Sequence, residues 1–486
     1  MSRAYIQGAP DVPAPGAARS FWLQEALAND PGESCGPLDA HVAADVCIVG
    51  GGFCGLWTAI ALTDREPGLR VAIVEQDIVG GGASGRNGGF FSSSWWDLPA
   101  LTGFFGEDEG LRYARVLADA VGEAGAFIGE HAIDCWWHHE GGLAVRAGDW
   151  QGGIAGGEAV AMAARLGERD RLLPRSADEA RAIADSPRVT GAVFTPDNAT
   201  VQPARLARGL RRVLLDRGVR IFERTPARAI DRSAPAVVRT DHGAVRADRV
   251  VLATGSWAAG WPGFRRSFGV IVDTMVATEP IPERLRSIGW TSHVGIGDGR
   301  ELLYYLRRTD DDRIAIGGGS IGVVFGGRLG SRVVTHDHRA ATVAARGLVG
   351  LFPQLEGVRF THAWGGPIDQ TASFLPFYRT LPPGNVHAGL GFSGHGLCQT
   401  FVGGRILASM ALGADDAWTS LPVTRPEIGM APPEPFRWPA VRASGWALER
   451  GDAREEAGRR RGWALDLVGD APLRYRERLQ RPAGAR

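Results

Sequence analysis

Lysine is absent from this chain of 486 residues, so every one of its 54 basic side chains is an arginine. Acidic residues also number 54 and the formal net charge is zero. That removes the usual electrostatic footprint of a nucleic-acid or anionic-membrane binder. No apolar run approaches the ~20 residues of a membrane span, and no basic stretch followed by an apolar one opens the chain. Cysteine is scarce: Cys35, Cys47, Cys54, Cys135 and Cys398 are odd in number and none has CxxC spacing. This speaks against a disulfide framework and a zinc site, so no metal is expected, and it suits a reducing compartment. The resulting expectation is a cytoplasmic protein with no membrane span and no nucleic-acid partner. Glycine is plentiful instead, at 68 residues. The length exceeds what one hydrophobic core usually supports, so two domains are expected.

The glycines carry most information in "DVCIVGGGFCGLWTAI", residues 45–60. Val46, Cys47, Ile48 and Val49 form a short apolar strand, and Leu56, Trp57, Ile60 and Ala61 recur at helical spacing. Between them Gly50-x-Gly52-x-x-Gly55 has the spacing of a dinucleotide fingerprint: a tight turn, close approach to a pyrophosphate, and close packing of helix on strand. The helix N-terminus would supply the free N–H groups for a diphosphate. A second strand, "VAIVE", ends at Glu75, twenty residues past Gly55, where a carboxylate accepts hydrogen bonds from a ribose. A solvated strand end is the plainer alternative for Glu75.

Further along, a helix is expected over about 111–130, a strand at "GGLAVRAG", and strands at "VRIFERT", "AVVRT" and "RVVLATGSWA", the last delivering Gly255 to a turn. Residues 266–364 read mainly as strands, including "ELLYYLRRT" and "RIAIGGGS", with a helix over about 339–352. In "NVHAGLGFSGHGLCQTFVGGRILASMAL" a strand again runs through a glycine turn into a helix. Two such anion-friendly turns suggest one long ligand held by both ends of the chain. Residues 1–40, with "GAPDVPAPGAARS", are expected to form an arm on the surface.

Taken together, "DVCIVGGGFCGLWTAIAL", "VAIVEQ", "GGGASGRNGGF", "VVLATGSWA", "WGGPID" and "GFSGHGLCQT" resemble, in order and over most of the chain, the FAD-dependent oxidoreductases of the D-amino-acid oxidase and glycine/sarcosine oxidase superfamily. The likeness is greatest to the gamma-glutamylputrescine-oxidase-like branch. It implies an α/β fold: a Rossmann-like FAD-binding domain assembled from 41–100, 191–265 and 365–420, and a substrate domain, 101–190 and 266–364, on a large mostly antiparallel sheet. Residues 421–486 would be a partly helical extension. It further implies that Gly50, Gly52 and Gly55 carry the pyrophosphate and that Glu75 and Gln76 lie at the adenosine ribose. Ser84, Arg86, Asn87, Gly88 and Gly89 would line the path to the flavin ring, Gly255 and Trp257 the pyrophosphate and ribityl side, and Gly394, His395, Gly396 and Leu397 the pyrimidine edge.

The implied reaction is oxidative deamination of a primary or secondary amine: hydride passes from the carbon next to nitrogen to flavin N5, and the imine is hydrolysed. Dioxygen is the expected acceptor, giving hydrogen peroxide, with non-covalently bound FAD because "PIDQTASF" contains no cysteine. A dehydrogenase using another acceptor and a non-catalytic flavin-binding protein remain the alternatives. Arg86 and His395 are the candidate catalytic groups, against a surface arginine and a turn histidine. Several relatives activate dioxygen with a lysine, which here an arginine or a protonated histidine would have to replace. Trp95, Trp96, Trp136 and Trp137 could frame the substrate by cation–π contact, against a core role. The relatives' basic residue for a substrate carboxylate falls at Cys398, which cannot pair with an anion. Sarcosine and glycine are therefore expected to be poor substrates, with a longer amine's acidic group met by Arg307 or Arg308.

Overall fold

The computed structural model describes residues 19–147, 157–261, 263–327, 329, 337–425 and 429–480. Strand His41–Val49 lies at the centre of an eight-stranded sheet, parallel to Val71–Val74 on one side and Ala244–Leu252 on the other. Arg220–Phe222 and Val386–Leu390 continue the parallel order outward, and Phe377–Leu381 closes one edge antiparallel. Val71 to Val74 are all buried, as a strand between two layers must be. On one face lie helices Phe53–Arg65 and Gly396–Leu412. They cross so closely that a Cβ on Gly404 would sit 2.5 Å from the backbone of Trp57.

The second sheet has nine strands. Gly269–Thr278 pairs along its full length with Phe360–Gln370, and on its other edge with Ile314–Gly318 and Gly322–Val323. Tyr304–Arg308, Gly295–Asp298, Gly142–Arg146, Gly191–Thr195 and Leu173–Arg175 follow in order, antiparallel except for the pair between 295–298 and 142–146. The sheet contains Gly191–Thr195 and the strand that crosses position 365, so two segments expected with the cofactor domain hydrogen-bond into it. Helix His338–Leu351 covers its far face, burying Ala341, Ala344, Ala345 and Leu348.

The expectation of a surface arm over 1–40 is corrected for its later part, while residues 1–18 lie outside the described residues. Phe21–Asn29 is a helix capped by the Ser20 hydroxyl, and Trp22 is fully buried against Trp364 with ring centroids 5.8 Å apart. The helix, FWLQEALAN, follows the Pro/Ala/Gly stretch, and its docking partner Trp364 lies more than 300 residues later, which local sequence does not record. The C-terminal extension forms helices Arg437–Glu456, Trp463–Gly469 and Ala471–Gln480. Among the described residues no helix is long and apolar enough to cross a membrane. All five cysteines are free and buried.

Candidate active site

A cavity of about 730 Å³ opens between the two sheets and receives the N-termini of both glycine-turn helices. Gly50 has φ +113°, and a Cβ there would lie 2.5 Å from the carbonyl oxygen of Ala253. A Cβ on Gly55 would lie 2.1 Å from the carbonyl oxygen of Gly50. Gly50 and Gly55 thus let one helix begin against the ends of two parallel strands. The second turn mirrors the first, with Gly394, His395, Gly396 and Leu397 all lining the cavity. Gly394 (φ +88°) redirects the chain there.

Glu75 lies at one end of the cavity, 8% exposed. Its carboxylate accepts the N–H of Gly51 at 2.7 Å and that of Asp77 at 2.9 Å. Burial outweighs these donors and pushes its pKa up to about 7. Gln76 lines the wall beside it. Ser84 sits at the fingerprint helix, its Oγ accepting the N–H of Phe53 at 2.8 Å. A cradle that side chains would fill, two helix N-termini and a buried carboxylate at hydroxyl-binding distance from the turn fit a dinucleotide with its diphosphate at the glycines and a ribose at Glu75.

Of the loop expected along the flavin path, Arg86, Asn87 and Gly88 line the cavity and Gly89 lies behind them. Arg86 is 8% exposed, donating from Nε to the carbonyl of Gly81 and from Nη1 to that of Gly365, each at 3.1 Å. Burial lowers its pKa. It is therefore a tie between the loop and strand Phe360–Gln370, and the surface-arginine alternative does not hold. Asn87 folds the loop, donating to the carbonyls of Ala83 and Ser84 and accepting the N–H of Gly89. Gly255 and Trp257 line the cavity, and His395 is exposed within it.

The substrate-side expectations divide. Trp96 lines the cavity, its Nε1 donating to Thr195. Trp95 does not: it is fully buried, bonded to Asp197 at 2.8 Å and covered by Arg171. Trp136 and Trp137 are also outside, against Arg205 and Phe91. Arg307 requires a correction. It is fully buried away from the cavity, with Nη1 on the carbonyls of Gly89 and Val201 and its guanidinium over Trp22. Arg308 is held by Thr291 and Asp312. Cys398 faces away as well, its Sγ on the carbonyl of Leu117 at 3.1 Å.

Asp97, Asp273, Asp298, Glu301 and Asp369 also line the cavity, and the sequence singled out none of them as a site residue. Asp369 accepts the N–H of Gly391 at 2.6 Å and fixes the second glycine turn. Asp298 pairs with Arg300 in a loop that closes one wall. Asp273, from strand Gly269–Thr278, is bonded to Tyr305, two residues before Arg307 on the same face of its strand. Asp369 closes the motif "WGGPID", which left its role open, whereas Asp273 and Asp298 lie in no motif and only the fold reveals them.

Outside the cavity, His138 and His293 stack with centroids 3.6 Å apart and planes 6° apart, sharing Asp310 at one edge and Glu140 at the other. One ligand atom from each of His138, His293 and Asp310 lies within 4.8 Å of the others.

Comparison with known proteins agrees with this geometry. Over 395 residues the chain is 32% identical to gamma-glutamylputrescine oxidoreductase of Escherichia coli strain K12, covering 79% of this chain and 88% of that protein. It is 27% identical over 361 residues to glycine oxidase of Geobacillus kaustophilus, covering 70% and 84%. The crystal structure of glycine oxidase from Geobacillus kaustophilus superposes with a TM-score of 0.64 at 21% identity, covering 79% of this chain and 99% of that one. That of L-proline dehydrogenase from P. horikoshii gives 0.65 at 19%, covering 79% and 96%. Residues 45–410 match the family model described as FAD dependent oxidoreductase, and the chain belongs to that family.

Proposed function

We propose that the protein catalyses oxidative deamination of a small-molecule amine, with non-covalently held FAD and dioxygen as electron acceptor. The observation that carries this reading is the single cavity, which joins the dinucleotide cradle at Gly50 and Glu75 to side chains of the second sheet. It offers a cofactor and a small substrate one chamber. The names of the relatives, a gamma-glutamylputrescine oxidoreductase and a glycine oxidase, support an amine or amino acid as substrate. FAD, when bound, supplies the acceptor for a hydride from the carbon next to nitrogen. In this reading Ile271, Met275 and Trp96, which line the cavity, hold the amine in place and keep bulk water out.

The N-terminus of helix Gly396–Leu412 would stabilise negative charge that develops beside it, with His395 as the nearest titratable group on that turn. A second reading, transfer to an acceptor other than dioxygen, is favoured by one feature: without lysine, the cavity's guanidiniums are those of Arg86 and Arg300, and both are already bonded to protein groups. Anaerobic mixing with an amine panel followed by stopped-flow exposure to aerated buffer tests both. Flavin bleaching and fast reoxidation are expected. Bleaching with slow reoxidation selects the second reading, and no bleaching by any amine sinks both. Acid precipitation should release intact FAD, and flavin remaining on the polypeptide would contradict non-covalent binding.

A further inference from the structure

We infer that Asp273, braced by Tyr305, is an anionic subsite that seats the ammonium group of a cationic amine inside the cavity. This rests on the amine-oxidising reading above and specifies its substrate class: amines without a carboxylate next to the reacting nitrogen.

Three observations converge. First, Asp273 is a carboxylate between Ile271 and Met275 on the cavity face of a strand whose other polar residues are Thr274 and Thr278, a position where alternation alone calls for another hydrophobic residue. Second, its oxygens are only partly used. Oδ1 accepts the N–H of Thr274 and Oδ2 the hydroxyl of Tyr305, both at 2.7 Å, and the N–H of Gly318 also bonds the carboxylate, which fills three of about four acceptor sites. Ionised, it has room for a further donor from the cavity. Among the described residues no arginine or histidine offsets its charge, and a buried carboxylate without a cation is costly unless a ligand provides one. Third, anchors for a substrate carboxylate are committed elsewhere. Arg86 is tied to backbone carbonyls, Arg300 to Asp298 and Glu456, and Arg307 is sealed beneath Trp22.

Tyr305 is held in turn. Its ring meets Phe90 edge-on at 5.7 Å. It also occupies the space left by Gly88 and Gly317, where Cβ atoms would come within 2.7 and 2.3 Å. The hydroxyl therefore has one place to point, and it orients the carboxylate. Tyr305 is a positioning residue, and Asp273 is the group that touches the substrate.

The test uses three probes of one shape and different charge, n-butylamine, butanoate and 1-butanol, titrated by calorimetry into anaerobically reduced holoenzyme, where turnover does not interfere. The wild type should bind n-butylammonium at least about tenfold more tightly than butanoate. Asp273→Asn should erase that preference, Tyr305→Phe should weaken it severalfold, and Asp273→Glu should keep it in part. Butanoate binding more tightly to the wild type overturns the proposal. So does unchanged n-butylammonium affinity in an Asp273→Asn protein with wild-type FAD content and melting temperature. Should Asp273→Asn fail to hold FAD, Tyr305→Phe decides alone, and wild-type affinity in that variant overturns the proposal. Amines that bleach the flavin without any dependence of binding on Asp273 remove the subsite and leave the function. Charge-selective binding through Asp273 with no bleaching removes the function and leaves the subsite.

Discussion

Single atoms decide the cradle. The hydrogen that replaces a side chain at Gly55 allows helix Phe53–Arg65 to start 2.1 Å, in Cβ terms, from the carbonyl of Gly50. Backbone cannot yield as a flexible side chain can. Gly55→Ala is therefore expected to cost on the order of 1–3 kcal/mol and to purify with little flavin, read from melting temperature and FAD stoichiometry. Asp369 gives a prediction with a sign. Burial raises its pKa to about 6, above the usual carboxylate value near 4. Between about pH 4 and 6 the native protein keeps a proton that the unfolded chain has released, so this group's contribution to stability is complete at low pH and falls as pH rises. Asn at this position does not titrate. The stability of wild type relative to Asp369→Asn should fall across that window by no more than about 3 kcal/mol and level off above it, measured by urea unfolding at several pH values.

Among elements, the loop carrying Arg86 is fastened to strand Phe360–Gln370 by that side chain and by Trp364 Nε1, which donates to the Arg86 carbonyl at 2.8 Å. Arg86→Gln strands two buried carbonyls, at about 1–3 kcal/mol each. It should lower the melting temperature and weaken FAD binding. A variant of unchanged stability that only slows reoxidation by dioxygen would assign the residue to chemistry instead. Arg86 was visible in the sequence as a residue among glycines, but its job was not, because its partners are carbonyls as far away as Gly365. The two glycine turns were legible for a definite reason: Gly50, Gly55 and Gly394 shape the backbone over short spans, which spacing records, and Glu75 ends the neighbouring strand. The substrate half was legible only to the strand. "ELLYYLRRT" contains the expected strand, Tyr304–Arg308, and Tyr305 and Arg307 share one face of it. By position 307, however, that face has been taken by Trp22 from a helix nearly 300 residues earlier. Such a cover leaves no mark on local periodicity.

Across the whole molecule, the C-terminal extension reaches back to the active cavity. Asp452 accepts the N–H groups of Glu301 and Leu302 at 3.3 and 3.1 Å, Glu456 pairs with Arg300, and Arg461 pairs with Glu301. All three partners belong to the loop that closes one wall, and the family match ends at residue 410. Asp452→Ala should leave FAD content unchanged while raising the KM for amine roughly tenfold, since charge-assisted contacts of about 1.5–3 kcal/mol hold that wall. Equal KM values would separate the extension from substrate binding. The buried cysteines bear on durability. Burial pushes the thiols of Cys47 and Cys135 up to about 12 and raises those of Cys35, Cys54 and Cys398. A cysteine reacts with peroxide as its thiolate, so these buried thiols are inert. Aldehydes condense with lysine amines, and this chain has none. If the protein releases hydrogen peroxide and an aldehyde at every turnover, its cysteines and missing lysines give both by-products little to modify, and self-inflicted damage should fall on methionine, first on Met275 in the cavity wall and the exposed Met430.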